Sequence, residues 1–383
     1  MKKKVFIFYD HFYPAWKAGG PVQSLANMVR QMHNEYAFFI VCKPHEMNSA
    51  EPLPGVAVNA WNNWEGIAQV YYLQYGLQAD TAKQLQQLFT EVRPDVLFVN
   101  GLFSPFFNIL PLKAGISYCK QNPGCKIVLS ARGMLHPGAL SQKAFKKKLF
   151  ILWLRLMGWP QKVYWHATDV QEEQFVHAVF GTKAQVRIAG NFPNLVPALP
   201  LPEKQSGIVN LGTIALISPM KNHLLVLKAL QTVTAAVNWH IYGPVKDAAY
   251  WEECLAETKK LPANIRVHYH GECNPADLNE ALQRFQLFIM PSKSENFGHA
   301  ILEALSAGRP VITTDTTPFK QLQQEGAGYS ISLQQPQQLA EAITFFAAMD
   351  AEKFAEAGKK ATAYAADFAN LYVLRRQYQH LFT

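Results

Sequence analysis

Short apolar runs alternate with longer stretches in which apolar residues recur every three or four positions. In the first half the runs fall at residues 5–9, 38–41, 96–99 and 127–130, with helical spacing at 22–32 and 80–92 between them. Uninterrupted apolar strands separated by helices imply parallel sheets covered on both faces. Residues 193–202 then carry four prolines. Each proline removes a backbone donor and fixes φ, so this stretch reads as a linker and not a helix. After it the alternation restarts, with strands expected at 208–211, 239–242, 265–269, 287–290 and 310–313, and helices at 224–235, 276–285 and 298–307. The predicted fold class is α/β, in two domains of similar size, 1–195 and 196–365. Ligands of such sheets bind beyond the carboxyl ends of the strands, and with two domains the expected place is the cleft between them.

Composition narrows the reading. Of 383 residues, 49% are hydrophobic and 17% charged, which excludes a disordered chain. The net charge of +8 is unevenly held: residues 1–195 carry 20 basic against 11 acidic side chains, and residues 196–383 carry 16 against 17. The first half is therefore expected to meet something anionic. Five scattered cysteines without a CxxC argue against a disulfide framework or structural zinc. The start, Lys2-Lys3-Lys4 before 5–9, imitates an export signal, but the apolar run stops at Asp10. No stretch approaches the ~20 apolar residues of a membrane span. A soluble, cytoplasmic protein is expected.

The most informative segment is Pro291-Ser292-Lys293-Ser294-Glu295-Asn296-Phe297-Gly298, followed by a helix carrying Glu303 and closing at Gly308-Arg309-Pro310. A strand thus runs into a polar loop and then a helix. The N-terminus of that helix offers free N–H groups and a positive dipole end, suited to a phosphate. Glu303 is placed to accept from vicinal hydroxyls such as a ribose. Spacing alone proves nothing, because Glu272 and Glu280 repeat it and read as two solvated carboxylates. Lys221, at the junction before another helix, is suited to a leaving diphosphate. Gly19-Gly20, before the first helix, would let the backbone approach a ligand. Arg132 follows a strand and stands at a carboxyl edge.

In context these segments resemble family 4 glycosyltransferases. Glu295-Asn296-Phe297-Gly298, Glu303-Ala304 and Gly308-Arg309-Pro310-Val311 are similar to the family's E-x7-E signature. Phe12-Tyr13-Pro14 with Gly19-Gly20-Pro21 resembles its glycine loop. Ser130-Ala131-Arg132-Gly133-Met134-Leu135 resembles a variant found in transferases of polysaccharide assembly. Asn191-Phe192-Pro193-Asn194 sits where the family enters its linker, in a structural role. Gly271 matches a loop that contacts the nucleotide base.

The resemblance implies the GT-B fold, two Rossmann-like domains facing a central cleft, with a last helix over 366–383 packing back on the first domain. It implies a nucleotide-sugar donor in the second domain and a glycan or lipid-linked glycan acceptor in the first, in surface polysaccharide synthesis. Retention of configuration, no metal and no cofactor are implied as well. Glu295 and Lys221 would be catalytic. Glu303, Asn296, Phe297, Gly298 and Gly271 would bind donor, and Gly19, Gly20 and Arg132 would serve the acceptor or phosphate side. One position departs: Leu216 stands where the family carries an arginine five residues before the lysine. Either another cation substitutes for it, with Arg132 and Lys293 as candidates, or activity is weak or absent. A sugar-nucleotide epimerase of the same fold and a non-catalytic nucleotide-sugar-binding protein remain alternatives.

Lys143, Lys146, Lys147 and Lys148 adjoin an apolar run rich in Leu, Phe and Trp. The run reads either as an amphipathic helix against an anionic membrane or as a core helix with a solvated lysine end. No nucleic-acid motif accompanies it, and the absence of D-x-D, G-x-G-x-x-G and P-loop sequences disfavours metal-chelating transferases, dinucleotide enzymes and NTPases.

Overall fold

In β1 (Lys3–Phe8) Val5 and Ile7 enter one apolar core while Phe6 and Phe8 enter another, and all four are fully buried. A strand with two buried faces needs no polar alternation, which is why it reads as a continuous apolar run. Each such side chain contributes ~1.5–3 kcal/mol relative to exposure. The computed structural model describes residues 2–76, 80–141 and 143–383. Met1 and Gln142, the latter within the basic stretch, lie outside the described residues. Contacts divide the chain into two units, Met1–Phe192 with Leu371–Thr383, and Pro193–Asn370.

The first unit continues with β2 (Tyr36–Cys42), β3 (Trp61–Trp64), β4 (Ala68–Tyr72), β5 (Val96–Asn100), β6 (Lys126–Ser130), β7 (Tyr164–Ala167) and β8 (Gln185–Ile188). Their order in the sheet is β3-β4-β2-β1-β5-β6-β7-β8. Only β3 is antiparallel, to β4. Helices cover both faces. The last helix, Leu371–Phe382, buries Tyr378, Leu381 and Phe382 in the same core as Val5 and Ile7. Gln377 on it accepts from the Gly190 amide at 3.0 Å.

The second unit holds β9 (Ile208–Ile214), β10 (Ala236–Tyr242), β11 (Ile265–Tyr269), β12 (Leu287–Ile289), β13 (Val311–Thr314) and β14 (Gly328–Ile331), in the order β11-β10-β9-β12-β13-β14. All its pairs are parallel. This is the order of a doubly wound dinucleotide-type sheet, reversing direction between β9 and β12. The helix expected at 224–235 spans His223–Leu230, giving way before the β-branched Thr232, Val233 and Thr234.

Residues 193–202 have no regular secondary structure, yet they are strapped to the second unit. The fully buried Arg309 donates to the carbonyls of Leu199 (2.8 Å), Pro200 (2.6 Å), Ala307 and Leu282 (2.9 Å). The Val196 and Leu199 amides bond Ser306 and Ala307. Proline leaves carbonyls without neighbouring donors, and a buried guanidinium satisfies several of them at once. The contact division falls at 192/193, three residues before the 195/196 expected. At the other end the helix Ala351–Ala369 runs past 365 and breaks at Asn370.

Candidate active site

The reversal of strand order in the second unit opens a crevice at the carboxyl ends of β9 and β12, and the segments marked in the sequence follow these two strands. After β9 the chain passes Leu216 and reaches Lys221, then Asn222 in the left-handed region (φ 62°), which turns it into the helix His223–Leu230. After β12 it passes Lys293 to Glu295. The two loops are joined by the Lys293 amide donating to the Met220 carbonyl at 2.9 Å. Across that junction Lys221 Nζ meets Glu295 Oε1 at 2.5 Å, both side chains largely shielded from water. The two residues given separate roles from the sequence are thus partners, and a group binding either must compete with the other.

Gly298 caps the helix His299–Ser306 with φ +77°. A Cβ there would meet the buried Phe319 ring at 2.8 Å, so both conformation and space demand glycine. Phe297 is half-buried with its ring 4.5 Å from that of His299, and Asn296 is exposed. Glu303, on the same helix, is only 5% exposed, and Asn194 Nδ2 donates to its Oε1 at 3.0 Å. Asn194, read from the sequence as structural, therefore orients this carboxylate.

Gly271 follows β11 with φ +76°, and no atom lies within 4 Å of where its Cβ would be. Its carbonyl accepts from the Gly243 amide at 2.6 Å. Two residues on, burial first, then Asp277 and Glu303, push the Cys273 thiol up to about 11. The Gly271 loop and Glu303 thus belong to one neighbourhood. Leu216 is half-buried and belongs to neither apolar core of the unit. Glu280 of the repeated spacing is exposed and paired with Arg284, and Glu272 is exposed.

In the first unit the order reverses between β1 and β5, and the residues after these strands again converge. Asp10 pairs with Lys43 at 2.7 Å and accepts from Ser104 Oγ at 2.9 Å. Arg132, at φ 48°, donates from Nε to Asn100 Oδ1 and from NH1 to Asn191 Oδ1, each at 2.6 Å. Behind it His166 bridges Ser130 Oγ and the Ala189 carbonyl. Burial, then the Arg132 charge, hold that imidazole down at about 3. Gly19 (φ +74°) caps the helix Gly20–Met32, and its would-be Cβ faces open space. Glu46 ties the loop by accepting from the Trp16 and Lys17 amides.

Residues 194–362 match the family described as glycosyl transferases group 1. The match spans most of the second unit, which resembles a group 1 glycosyl transferase domain. Solved structures resemble the chain over its full length. Anabaena HepE in complex with UDP and glucose is 15% identical, over 99% of this chain and 98% of that one, with a TM-score of 0.66. Sucrose-phosphate synthase from Thermosynechococcus elongatus is 16% identical, over 100% and 98%, with a TM-score of 0.71. WaaG, a glycosyltransferase involved in lipopolysaccharide biosynthesis, is 14% identical, over 99% of each chain, with a TM-score of 0.62. These likenesses give the fold, GT-B, with two Rossmann-like domains. No curated protein matches the sequence significantly.

Within the second unit the sequence reading missed Asn194 as a partner of Glu303 and missed Gly243. A Cβ on Gly243 would strike the Ala215 carbonyl at 1.9 Å, so this glycine lets the loops after β9 and β10 approach. In the first unit it missed Asp10, Lys43, Ser104, Asn100 and Glu46. Nothing local in the sequence marks these, because their partners lie 29 to 94 positions away. Among the described residues no three His, Cys, Asp or Glu side chains are grouped to hold a metal, and no helix is long and apolar enough to cross a membrane.

Proposed function

We propose that the protein transfers a sugar from a nucleotide-sugar donor to a hydroxyl of a glycan or lipid-linked glycan, in surface polysaccharide synthesis. One observation carries the reading. In a unit that resembles a group 1 glycosyl transferase domain, a lysine–carboxylate pair, a glycine-capped helix N-terminus and an oriented, nearly buried carboxylate lie around one switch point. On this reading Glu303, held by Asn194, accepts from the ribose hydroxyls. Lys221 and the helix end at Gly298 take the diphosphate charge that develops as the sugar leaves, with no metal ion or other cofactor. Glu295, released from Lys221 as the diphosphate takes its place, faces the anomeric carbon. The loop at Gly271 meets the base, and Asn296 and Phe297 border the donor. Gly19, Gly20 and Arg132 serve the acceptor side, and configuration is retained. The complex of HepE with UDP and glucose supports a donor of this class, and the role of WaaG in lipopolysaccharide biosynthesis supports the acceptor class. The protein would work in the cytoplasm at the inner face of the membrane, attached peripherally through the basic stretch at Lys143, Lys146 and Lys148.

The test is a thermal-shift screen of UDP-, GDP- and ADP-sugars, followed by turnover of the stabilising donor with and without acceptor. Release of nucleotide with product of unchanged anomeric configuration, undiminished by a chelator, is expected. An isomerised donor in the absence of acceptor would replace the proposal with an epimerase. Binding without any turnover, hydrolysis included, would replace it with a non-catalytic binder.

A further inference from the structure

The helix Ala144–Leu156 of the first unit carries six exposed apolar side chains on itself and its cap: Phe145, Leu149, Leu152, Trp153, Leu156 and Met157. Phe145 and Leu156 are 75% and 78% exposed, near the extremes for residues that ordinarily fill cores. At ~100° per residue, positions 145, 149, 152, 153 and 156 fall on one stripe. The opposite stripe, with Lys147, Ile151 and Leu154, faces inward, and Ile151 and Leu154 are buried in the unit's core. The helix therefore has two apolar faces and spends only one on its own domain.

The cations settle what the other face meets. Lys147 is turned in, with Nζ donating to the Ala139 carbonyl at 2.6 Å and lying over the Phe103 ring. Lys146 stands on one flank of the exposed stripe and Lys148 on the other, both exposed, with Lys143 exposed just before the helix. From residue 96 to residue 168 the sequence has ten Lys and Arg and not one Asp or Glu. A second copy of the chain would bring like charge against like charge. An anionic lipid surface meets both demands, accepting the apolar stripe below its headgroups and the flanking lysines at them.

We propose that this helix lies in the interface of an anionic bilayer, inserting Phe145, Leu149, Leu152 and Leu156, with Lys146 and Lys148 at the phosphates. Lys147, one of the four lysines of the basic stretch, is a packing residue and takes no part. The proposal deepens the peripheral attachment named above, and its test needs no donor chemistry.

The experiment is co-sedimentation of the full chain with phosphatidylcholine vesicles, with and without about one-third phosphatidylglycerol. Binding to the anionic vesicles only, weakened by salt, is expected. The double substitution Leu149→Glu/Leu156→Glu should lower the partition coefficient about tenfold or more while leaving the unfolding midpoint in place, since both side chains are exposed. Lys146→Glu/Lys148→Glu should do the same through the charge alone. Equal binding to neutral vesicles, or undiminished binding by the Leu149/Leu156 variant, would overturn the proposal. So would a solution dimer of the parent chain that this variant makes monomeric. Vesicle binding without any sugar transfer would leave this inference standing and remove the transferase, and transfer without vesicle binding would do the reverse.

Discussion

At the switch point of the first unit the polar groups are tied to one another, Asp10 to Lys43 and Ser104 and Arg132 to Asn100 and Asn191. One guanidinium nitrogen of Arg132 and the amide nitrogen of Asn100 are nonetheless buried without a hydrogen bond among the described residues. At the switch point of the second unit there is a single ion pair between two loops, a helix end and one carboxylate held by an amide. Both sheets use the same crevice geometry. The first edge is a network whose removal should cost structure. The second is sparse and leaves its charges to be taken up by a ligand, so its removal should cost chemistry. That difference also accounts for the charge balance. A donor domain that needs a few aimed cations can be nearly neutral overall, while the first half's excess is concentrated between residues 96 and 168.

The largest effect that can break this contrast is a matched pair of truncations. Lys221→Ala should lower donor turnover about 10²–10³-fold, near 3–4 kcal/mol in the barrier, with a small change in urea midpoint. Arg132→Ala should instead lower stability by about 2–3 kcal/mol, through two lost charge-assisted hydrogen bonds, and leave nucleotide affinity unchanged. Steady-state kinetics, calorimetry with nucleotide and urea unfolding decide it. A loss of donor hydrolysis in the absence of acceptor for Arg132→Ala, with none for Lys221→Ala, would place the chemistry on the first unit.

The capping glycines sharpen the comparison. Gly298 (φ +77°, ψ +51°) and Gly19 (φ +74°, ψ −138°) both have positive φ, but only Gly298 is crowded and only Gly19 has a backbone essentially confined to glycine. Gly298→Ala should cost about 2–4 kcal/mol, the backbone penalty plus overpacking against Phe319. Gly19→Ala should cost about 2–3 kcal/mol through backbone strain alone, since its would-be Cβ faces open space. A Gly298→Ala loss of only about 1 kcal/mol in urea, the left-handed penalty alone, would show that the Phe319 ring yields.

Acid tests both units through one histidine each. Burial holds His166 at about 3 and His223 at about 4, against an ordinary 6.5, with the charges of Arg132 and Lys221 adding to the effect. Between those values the unfolded chain binds protons that the folded chain refuses. Stability should be unaffected by these groups above pH 6.5 and should fall as pH drops below it. At pH 4.5 the loss should be roughly 2–3 kcal/mol for each. Urea midpoints at pH 7.5 and 4.5 measure it, and His166→Gln should recover the first unit's share.

What was legible follows from range. The donor half announces itself because its loop, helix cap and carboxylate lie within about 25 contiguous residues, and the glycine at 298 is demanded by a backbone that only glycine adopts freely. The fully buried strands were legible as apolar runs. The strands toward the two ends of the first unit's sheet, β3, β4, β7 and β8, were not, since Tyr-Trp-His-Ala is mostly buried but has no aliphatic run and the edge strand Gln-Val-Arg-Ile is largely exposed. The network at Asp10 and Arg132 was illegible for a different reason. Its members are ordinary polar residues whose meaning comes from partners 32 to 94 positions away. Nor does any pattern in 193–202 reveal that Arg309 would bind that stretch down.

The smallest expected effect bears on the residue that departs from the family. Leu216 is half-buried, follows β9 toward Lys221, and contributes to neither apolar core of its unit. A side chain so placed gives up little packing when replaced, so Leu216→Arg should change stability by less than about 1 kcal/mol. If the position borders the diphosphate, the new guanidinium adds a bidentate donor beside Lys221, and donor turnover should hold or rise. It would also compete for Glu295, freeing Lys221 from a partner 2.5 Å away. Turnover that falls while the urea midpoint stays fixed would mean that the arginine draws Glu295 away from its work. The lone lysine–carboxylate pair would then be the arrangement this site is built for.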